Sequence, residues 1–239
     1  MTITFSQLEK MGRLGNCLFQ MATTISTAMK NNTNYQFPPW KYESDFNLHN
    51  CFSSNIKVSK TYQEKAFHYD PIPAFQSVDL IGYWQSWRYF ETYKKEIINL
   101  LTPIHNFQRE TGLCSIHIRR GDYVNVQHCH PLMSMNYYER AMEKSGCKKF
   151  LILSDDIVWV KKNFIGNQYE YSEGNSPTVD LALMAKKCES NIICNSSFSW
   201  WGAWLNEDIS KKVIAPSNWF GPALPHSTKD LLPQEWIKI

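Results

Sequence analysis

Two adjacent arginines follow an apolar segment near the middle of the chain. Leu113 to Ile118 has the composition of a buried strand, and Arg119, Arg120 and Gly121 come directly after it. A guanidinium group stays charged and binds two phosphate oxygens at once through its planar donors. At the end of a parallel strand these groups would lie at the carboxyl edge of the sheet, where open α/β folds bind ligands. The segment therefore predicts either a phosphate site, with Asp122 holding one arginine in position, or a surface salt-bridge cluster.

A glycine-containing turn near the start of the chain is a second candidate. Gly12 and Gly15 lie in the segment 11–20, between a predicted strand and a predicted helix. Glycines allow a ligand to approach the backbone closely, and amides at a helix start favour an anion. The Lys-Ser/Thr ending of a P-loop is missing, and the glycine spacing does not match the dinucleotide fingerprint. From the residues alone, the segment is either a structural turn or part of an anion site.

Residues that commonly bind metal ions are present but poorly spaced. His128, Cys129 and His130 are adjacent, and adjacent ligands in a short loop do not easily point at one ion. The sequence has no Asp-x-Asp triplet, and the neighbouring pair Asp155 and Asp156 is better placed to cap the helix that follows or to order the loop in which it lies. We therefore predict no metal site.

The second half of the chain alternates between strand-like and helix-like segments. The strand-like segments are 113–118, 150–153, 191–194 and 213–215, and the helix-like segments are 136–144, 157–164, 177–187 and 200–205. Ser176 and Pro177 supply an N-cap and a first-turn proline for the third of these helices. This alternation predicts a parallel sheet with helices on its faces.

The first half repeats this order less regularly. Strands are predicted over 2–8 and 79–84, helices over 18–29 and 88–101, and irregular structure over 47–73. Pro103 and the polar residues around it interrupt the pattern. We therefore predict an α/β protein of two Rossmann-like halves, residues 1–108 and 109–239, facing each other across a cleft.

Composition limits the classes of partner and the compartment. The net charge of +3 predicts no nucleic-acid partner, although a weak attraction to an anionic membrane surface stays open. No apolar run approaches the ~20 residues that span a bilayer, and the first nine residues lack a signal-peptide pattern. The seven cysteines have no Cys-x-x-Cys spacing, which is typical of reduced thiols. We expect a cytoplasmic protein, with peripheral association at the inner face of a membrane left open.

Five motifs in order along the chain resemble the α-1,2-fucosyltransferases of glycosyltransferase family eleven. The resemblance extends from Gly12 to about Phe220. The motifs are Arg13-Leu14-Gly15-Asn16 with Leu18-Phe19-Gln20, Gly82 to Ser86 with Tyr89-Phe90, His117 to Tyr123, Ser154-Asp155-Asp156, and Asn195 to Gly202. Two features depart from that family: Cys17 stands where Gln is usual, and the chain is shorter than many members. Both departures concern acceptor recognition more than donor binding.

The resemblance implies a GT-B-like fold, GDP-L-fucose as donor substrate, no cofactor, and inversion at the sugar carbon without an obligatory metal. It implies that Arg119 contacts the donor diphosphate and that Arg120 and His117 shape the pocket. The other donor-side residues that it indicates are Arg13, Gly15, Ser154, Asp155, Asp180 as the acid that recognises guanine, and Ser196 and Ser197 as the polar pair on phosphate. Tyr83, Trp84 and Gln85 are the acceptor-side candidates, and Arg119, Asn16 and Asp122 are the catalytic candidates.

The activity implied is transfer of L-fucose from GDP-β-L-fucose to O2 of a terminal β-galactose in an oligosaccharide or lipid-linked glycan. The alternatives are a fucosyltransferase of another linkage, α-1,6 or protein O-linked, and a non-catalytic glycan-binding module. The general base stays open among several residues. These are Asp122, Glu43, Asp45, Asp70 and Asn16.

Overall fold

Contacts within the chain separate it into two units. The computed structural model describes the whole chain, residues 1–239, and the first unit comprises Met1–Ile104 with Ser227–Pro233. The second comprises His105–His226 with Gln234–Ile239. The division falls four residues before the boundary drawn from the sequence, and the return of a C-terminal segment to the first unit carries no sequence signal. Asp230 anchors that segment, since its carbonyl accepts from Ser86 Oγ at 2.8 Å.

The first unit is built on a four-stranded sheet in the order β2-β1-β4-β3, with every pairing parallel. Its elements are β1 (Thr2–Thr4), α1 (Leu14–Lys30), β2 (Asn34–Gln36), β3 (Thr61–Gln63), β4 (Val78–Ile81) and α2 (Lys94–Leu101). Two short 3₁₀ turns precede α2, so the predicted helix over 88–101 is regular only in its last two turns. The central strands β1 and β4 are neighbours, which brings together the loops that follow them.

Helix α1 is buried along almost its whole length. It begins at Leu14, earlier than predicted, because Asn16 and Cys17 already donate their amides to the Arg13 carbonyl. Thr24 and Thr27 lie on buried turns and donate to carbonyls four residues earlier, which satisfies hydroxyls that burial would otherwise leave costly. The helix is therefore the core element of its unit.

The second unit contains a six-stranded sheet in the order β10-β9-β8-β5-β6-β7, again parallel throughout. Its strands are β5 (Glu110–Ile118), β6 (Lys149–Ser154), β7 (Tyr169–Tyr171), β8 (Cys188–Ile192), β9 (Val213–Ala215) and β10 (Ile237–Lys238). Its helices are α3 (Met135–Ser145), α4 (Ile157–Asn163), α5 (Pro177–Ala182) and α6 (Ser197–Trp204). The predicted α/β class, with parallel sheets in both halves, is confirmed.

Two predicted segments differ from the observed elements in the same place. The helix expected over 177–187 ends as α5 at Ala182 and continues as a π turn, Leu183–Lys187. The next strand then starts at Cys188, three residues before the predicted start. The buried apolar residues of the π turn fit a helix and a strand equally well. Their pattern therefore does not show where the helix ends and the strand begins.

A polar side chain joins the centre of the second sheet. Asn191 is fully buried on β8 and donates to Ser115 Oγ at 2.7 Å and to the Met184 carbonyl at 3.0 Å. Its Oδ1 accepts from Asn206 Nδ2 at 2.9 Å. A buried polar group with all of these partners links β8 to β5, to the π turn and to the segment after α6.

We expect Asn191→Ala to lower the free energy of unfolding by about 1–3 kcal/mol, because the change leaves buried partners unsatisfied. Urea denaturation followed by circular dichroism measures this loss. Asn167→Ala, at an exposed position, is the matched control and should change stability by less than about 0.5 kcal/mol. Equal losses in the two variants would show that the buried amide is not a stabilising link.

Candidate functional site

The carboxyl ends of β5 and β6 bring the arginine motif against an acidic turn. Register pairs Ile118 with Ser154, so Arg119 and Asp155 leave the sheet side by side. Arg119 Nη1 lies 2.7 Å from Asp155 Oδ2, and its Nη2 bonds to Asp122 Oδ1. Two carboxylates thus fix the orientation of one guanidinium, whose side chain is 15% exposed.

Arg120 is held by the next acidic residue. Its Nε lies 3.0 Å from Asp156 Oδ2, and its guanidinium lies 4.0 Å from the centre of the Trp159 ring. Its backbone amide donates to Asp155 Oδ1 at 2.9 Å. A Cβ on Gly121 would lie 2.4 Å from Asp155 Oδ2. The glycine is therefore required because the Asp155 carboxylate, itself held by the arginines, passes directly over the backbone.

His117 contributes shape rather than charge. The side chain is buried, and its Nδ1 lies 3.2 Å from Cys194 Sγ. Burial lowers the pKa of His117 to about 4, although Asp155 acts in the opposite direction. The imidazole is therefore neutral near pH 7 and forms part of the wall beneath the arginines.

The turn from β8 into α6 lies next to the arginine motif. Tyr123 Oη donates to the Asn195 carbonyl at 3.1 Å, and the Arg119 guanidinium lies 5.4 Å from the Tyr123 ring centre. Helix α6 begins at Ser197, directly after Ser196. Amides at a helix start and an arginine both complement an anion, so neighbouring strand ends present two groups suited to phosphate.

Asp180 lies at the same edge of the sheet but in a separate group. It is in the first turn of α5 and accepts from Ser172 Oγ at 2.5 Å, just past the end of β7. Burial raises the pKa of Asp180. Since β7 is two strands from β5, about 10 Å separates the two groups across the sheet. That spacing leaves room for a ligand longer than a phosphate.

Ser154 has a local role, because its Oγ accepts the Asp156 amide at 3.0 Å.

In the first unit, two hydrogen bonds join the glycine turn to the segment after β4. Gln85 Nε2 donates to Asn16 Oδ1 at 2.8 Å, and Gln20 Nε2 donates to the Gly82 carbonyl at 3.3 Å. Gly12 has φ 101°, and a Cβ there would lie 2.0 Å from Asn16 Nδ2. The turn is therefore shaped around the Asn16 amide.

Sequence reasoning missed Glu64, which organises the loop after β4. Its two carboxylate oxygens accept the amides of Tyr83 at 2.7 Å and Trp84 at 2.9 Å. Trp84 has φ 56°, a left-handed conformation that a bulky residue rarely adopts. Glu64 lies in the stretch interpreted as irregular, and no motif marks it.

The predicted acceptor-side residues differ in exposure. Tyr83 is 41% exposed, whereas Trp84 is 1% exposed and packs against Tyr62 and Tyr89. The Gln85 amide is committed to Asn16. Arg13 is exposed at the start of α1, and Gly15 is buried within it. Of the three acceptor candidates, only Tyr83 therefore has a side chain placed to contact a ligand, and the roles predicted for all three stay predictions.

A family model described as glycosyl transferase family 11 matches residues 4–239. The chain belongs to glycosyltransferase family 11. The arginine motif, the glycine turn and the β8–α6 turn described above all lie within the matched residues, which confirms the resemblance noted from the sequence.

Three relatives of this family 11 chain carry different names. The chain is 39% identical over 184 residues to an α-1,2-colitosyltransferase of Escherichia coli, covering 68% of this chain and 63% of that protein. It is 24% identical over 245 residues to the galactoside α-(1,2)-fucosyltransferase 2 of Oryctolagus cuniculus, covering 83% and 66%. An O-antigen biosynthesis glycosyltransferase of Escherichia coli, WbnK, is 33% identical over 160 residues, covering 61% and 52%. The chain thus spans between half and two thirds of these proteins.

Among solved structures, the α-1,6-fucosyltransferase NodZ soaked with GDP-fucose matches with a TM-score of 0.49 and 12% identity, over 85% of this chain and 91% of that one. No helix of the family 11 chain is long and apolar enough to cross a bilayer. No group of three His, Cys, Asp or Glu side chains is arranged to hold a metal ion. Metal independence and the absence of a cofactor stay predictions.

We expect Glu64 to make stability depend on pH. Burial raises the pKa of Glu64 from 4.5 to about 7. The hydrogen bonds from the two backbone amides act in the opposite direction, because they favour the carboxylate. The folded protein therefore holds this proton between those pH values while the unfolded chain has lost it. The contribution is fully present below pH about 4.5 and is lost as the pH rises through about 7.

The test compares urea unfolding of the wild type and Glu64→Gln at pH 5 and pH 8. The free energy of unfolding of the wild type should fall between these pH values by on the order of 2 kcal/mol more than that of the variant. Glu91→Gln, an exposed change in the same unit, should behave like the wild type. Parallel falls in the wild type and Glu64→Gln would refute the assignment.

Proposed function

We propose that this family 11 chain transfers L-fucose from GDP-β-L-fucose to O2 of a terminal β-galactose, with inversion and without a metal ion. The observation that carries the proposal is the Arg119 guanidinium, fixed between Asp122 and Asp155 at the carboxyl edge of β5. The membership in family 11 and the relatives named as α-1,2-transferases support the same reaction class.

The proposed transfer requires a fixed positive charge next to the diphosphate that leaves. In an inverting transfer the acceptor oxygen attacks the anomeric carbon on the side opposite GDP, and the bond from that carbon to the phosphate oxygen breaks. The sugar passes through a state like an oxocarbenium ion, and negative charge grows on the diphosphate. Arg119 and Arg120 are the residues that would stabilise that charge. Amides at the start of α6 and the Ser196–Ser197 pair would hold the same group.

The carboxylates around the arginines orient them. Asp155 accepts from the Arg119 side chain and from the Arg120 amide, and Asp122 bonds to Arg119 from the other side. This ion pair makes orientation of Arg119 the role that geometry supports best for Asp122. The residue that takes the acceptor proton stays open, and the candidates are Asp122, Glu43, Asp45, Asp70 and Asn16. Asp180, in its group at the end of β7, is proposed to bind the guanine.

Replacing Arg119 tests the proposal directly. We expect Arg119→Ala to lower kcat/KM for galactoside-dependent GDP release by about 100-fold or more, as loss of one positioned donor in a transition state does. Arg119→Lys should recover only part of the loss, because an ammonium does not bind two oxygens in a plane. Arg140→Ala, at an exposed position on α3, is the control. Unchanged turnover in Arg119→Ala would overturn the proposed role.

A second candidate donor follows from the relatives. Because the α-1,2-colitosyltransferase of Escherichia coli is 39% identical, colitose is the sugar to compare with fucose. The two candidates share the diphosphate site and differ only in the sugar, so Arg119→Ala does not separate them.

Parallel assays with the GDP-linked forms of fucose and colitose do separate them. We expect a higher kcat/KM for the fucose donor with a β-galactoside acceptor, unchanged turnover in EDTA, and a product whose new linkage is to O2 by NMR. A higher kcat/KM for the colitose donor would replace the donor assignment and keep the reaction class. A different linkage would replace the acceptor assignment, and binding of glycan without GDP release would indicate a non-catalytic module.

A further inference from the structure

A pocket lies at the amino edge of the second sheet, away from the arginine motif. It has a volume of about 520 Å³ and is lined by Cys147, three lysines, Glu189 and small polar residues. The lysines are Lys148, Lys149 and Lys212. The reaction proposed above uses none of these residues.

The loop from α3 to β6 fixes Cys147 in this pocket. Helix α3 is capped at its C-terminal end by Gly146, which has a left-handed conformation with φ 72°. The Cys147 amide then donates to Ser145 Oγ at 3.1 Å, and Lys212 Nζ donates to the Ser145 carbonyl at 3.2 Å. These hydrogen bonds therefore fix the backbone of Cys147 in the loop.

A second thiol lies behind the first. Cys147 is partly exposed and packs against the core cluster that contains Cys114. Cys114 is fully buried on β5, in register with Phe150 on the strand that Cys147 leads into. The two thiols lie close enough for each to act on the pKa of the other. One partly exposed and one buried thiol thus belong to the same packed cluster, on adjacent segments.

The environment favours the thiolate at the exposed position only. Hydrogen bonds from Cys114, Ser145 and Ser190 lower the pKa of Cys147 to about 6, although burial and Glu189 oppose them. Burial raises the pKa of Cys114 well above its usual range. Since the thiolate is the nucleophile, the first attack belongs to Cys147.

We propose that Cys147 is a site of oxidative modification by peroxide and that Cys114 resolves the oxidised form to a Cys114–Cys147 disulfide. In the first step the Cys147 sulfur bonds to one peroxide oxygen, the oxygen–oxygen bond breaks, and the departing hydroxide takes a proton to become water. In the second step the Cys114 sulfur bonds to the Cys147 sulfur, and the sulfur–oxygen bond breaks. The Cys114 proton leaves with the hydroxide as water. Two thiols and one peroxide give one disulfide and two waters.

The modification is separate from sugar transfer. Cys114 is on β5, five residues before Arg119, which follows the end of that strand, and the separation along the chain is roughly 16 Å. The disulfide would tie the loop 146–148 to β5 and leave the carboxyl edge untouched. Failure of this proposal is therefore distinguishable from failure of the proposed transferase activity.

The test treats the reduced full chain with one equivalent of hydrogen peroxide, blocks free thiols with N-ethylmaleimide, and maps peptides by mass spectrometry. We expect a peptide pair joined through Cys114 and Cys147 and an intact mass lower by about 2 Da before blocking. Cys147→Ser should abolish the crosslink. Cys129→Ser, at the other partly exposed cysteine, should leave it unchanged.

Cys114→Ala should stop the reaction at the sulfenic acid on Cys147, which dimedone labels. A crosslink that contains Cys188 instead, or no crosslink at all, would overturn the proposal. Because Cys114→Ala changes a core position, a second measurement uses the wild type alone. At pH 7, iodoacetamide should label Cys147 at least about 10-fold faster than Cys129, and comparable rates would also overturn the proposal.

Discussion

The candidate donor site depends on one constraint, the position of the Asp155 carboxylate at the end of β6. It accepts from the Arg119 side chain and from the Arg120 amide, and it lies so close to Gly121 that a Cβ there would collide with it. Because β5 and β6 are parallel neighbours and Ile118 is paired with Ser154, the residue that follows Ser154 lies beside the arginines. Two donors thus converge on one carboxylate, which fixes the direction of the Arg119 guanidinium and the position of the Arg120 backbone.

The charge balance of the cluster does not by itself favour an anion. Two guanidinium groups face the carboxylates of Asp122, Asp155 and Asp156, so the cluster carries more negative than positive charge. These ion pairs contribute little to stability where they are exposed. In the proposed reaction they would hold donors in place before the ligand arrives, so that little reorganisation would accompany charge development on a phosphate. Arginine suits this arrangement because its fork serves carboxylate and phosphate together.

The sequence was most informative where local chemistry and topology coincide. The strand over 113–118 and the arginines after it could be predicted, because an apolar run followed by polar residues places those residues at a sheet edge. Glu64 could not, since its role depends on the backbone of Tyr83 and Trp84, nineteen and twenty positions away along the chain. The burial of Trp84 was equally invisible, because an aromatic residue after a strand fits both a ligand platform and a core. The return of Ser227–Pro233 to the first unit depends on long-range contacts of Asp230.

The two edges of the second sheet differ in the ionisation states that they favour. At the carboxyl edge His117 and Cys194 are both buried, and burial lowers the pKa of the imidazole to about 4 and raises that of the thiol to about 12. Both groups stay neutral near pH 7, so neither adds a charge next to the arginines. At the amino edge the Cys147 sulfur gains donors from Cys114, Ser145 and Ser190, which favour its ionised form. The same residue type favours the thiol at one edge and the thiolate at the other, because hydrogen-bond donors outweigh burial in only one of the two places.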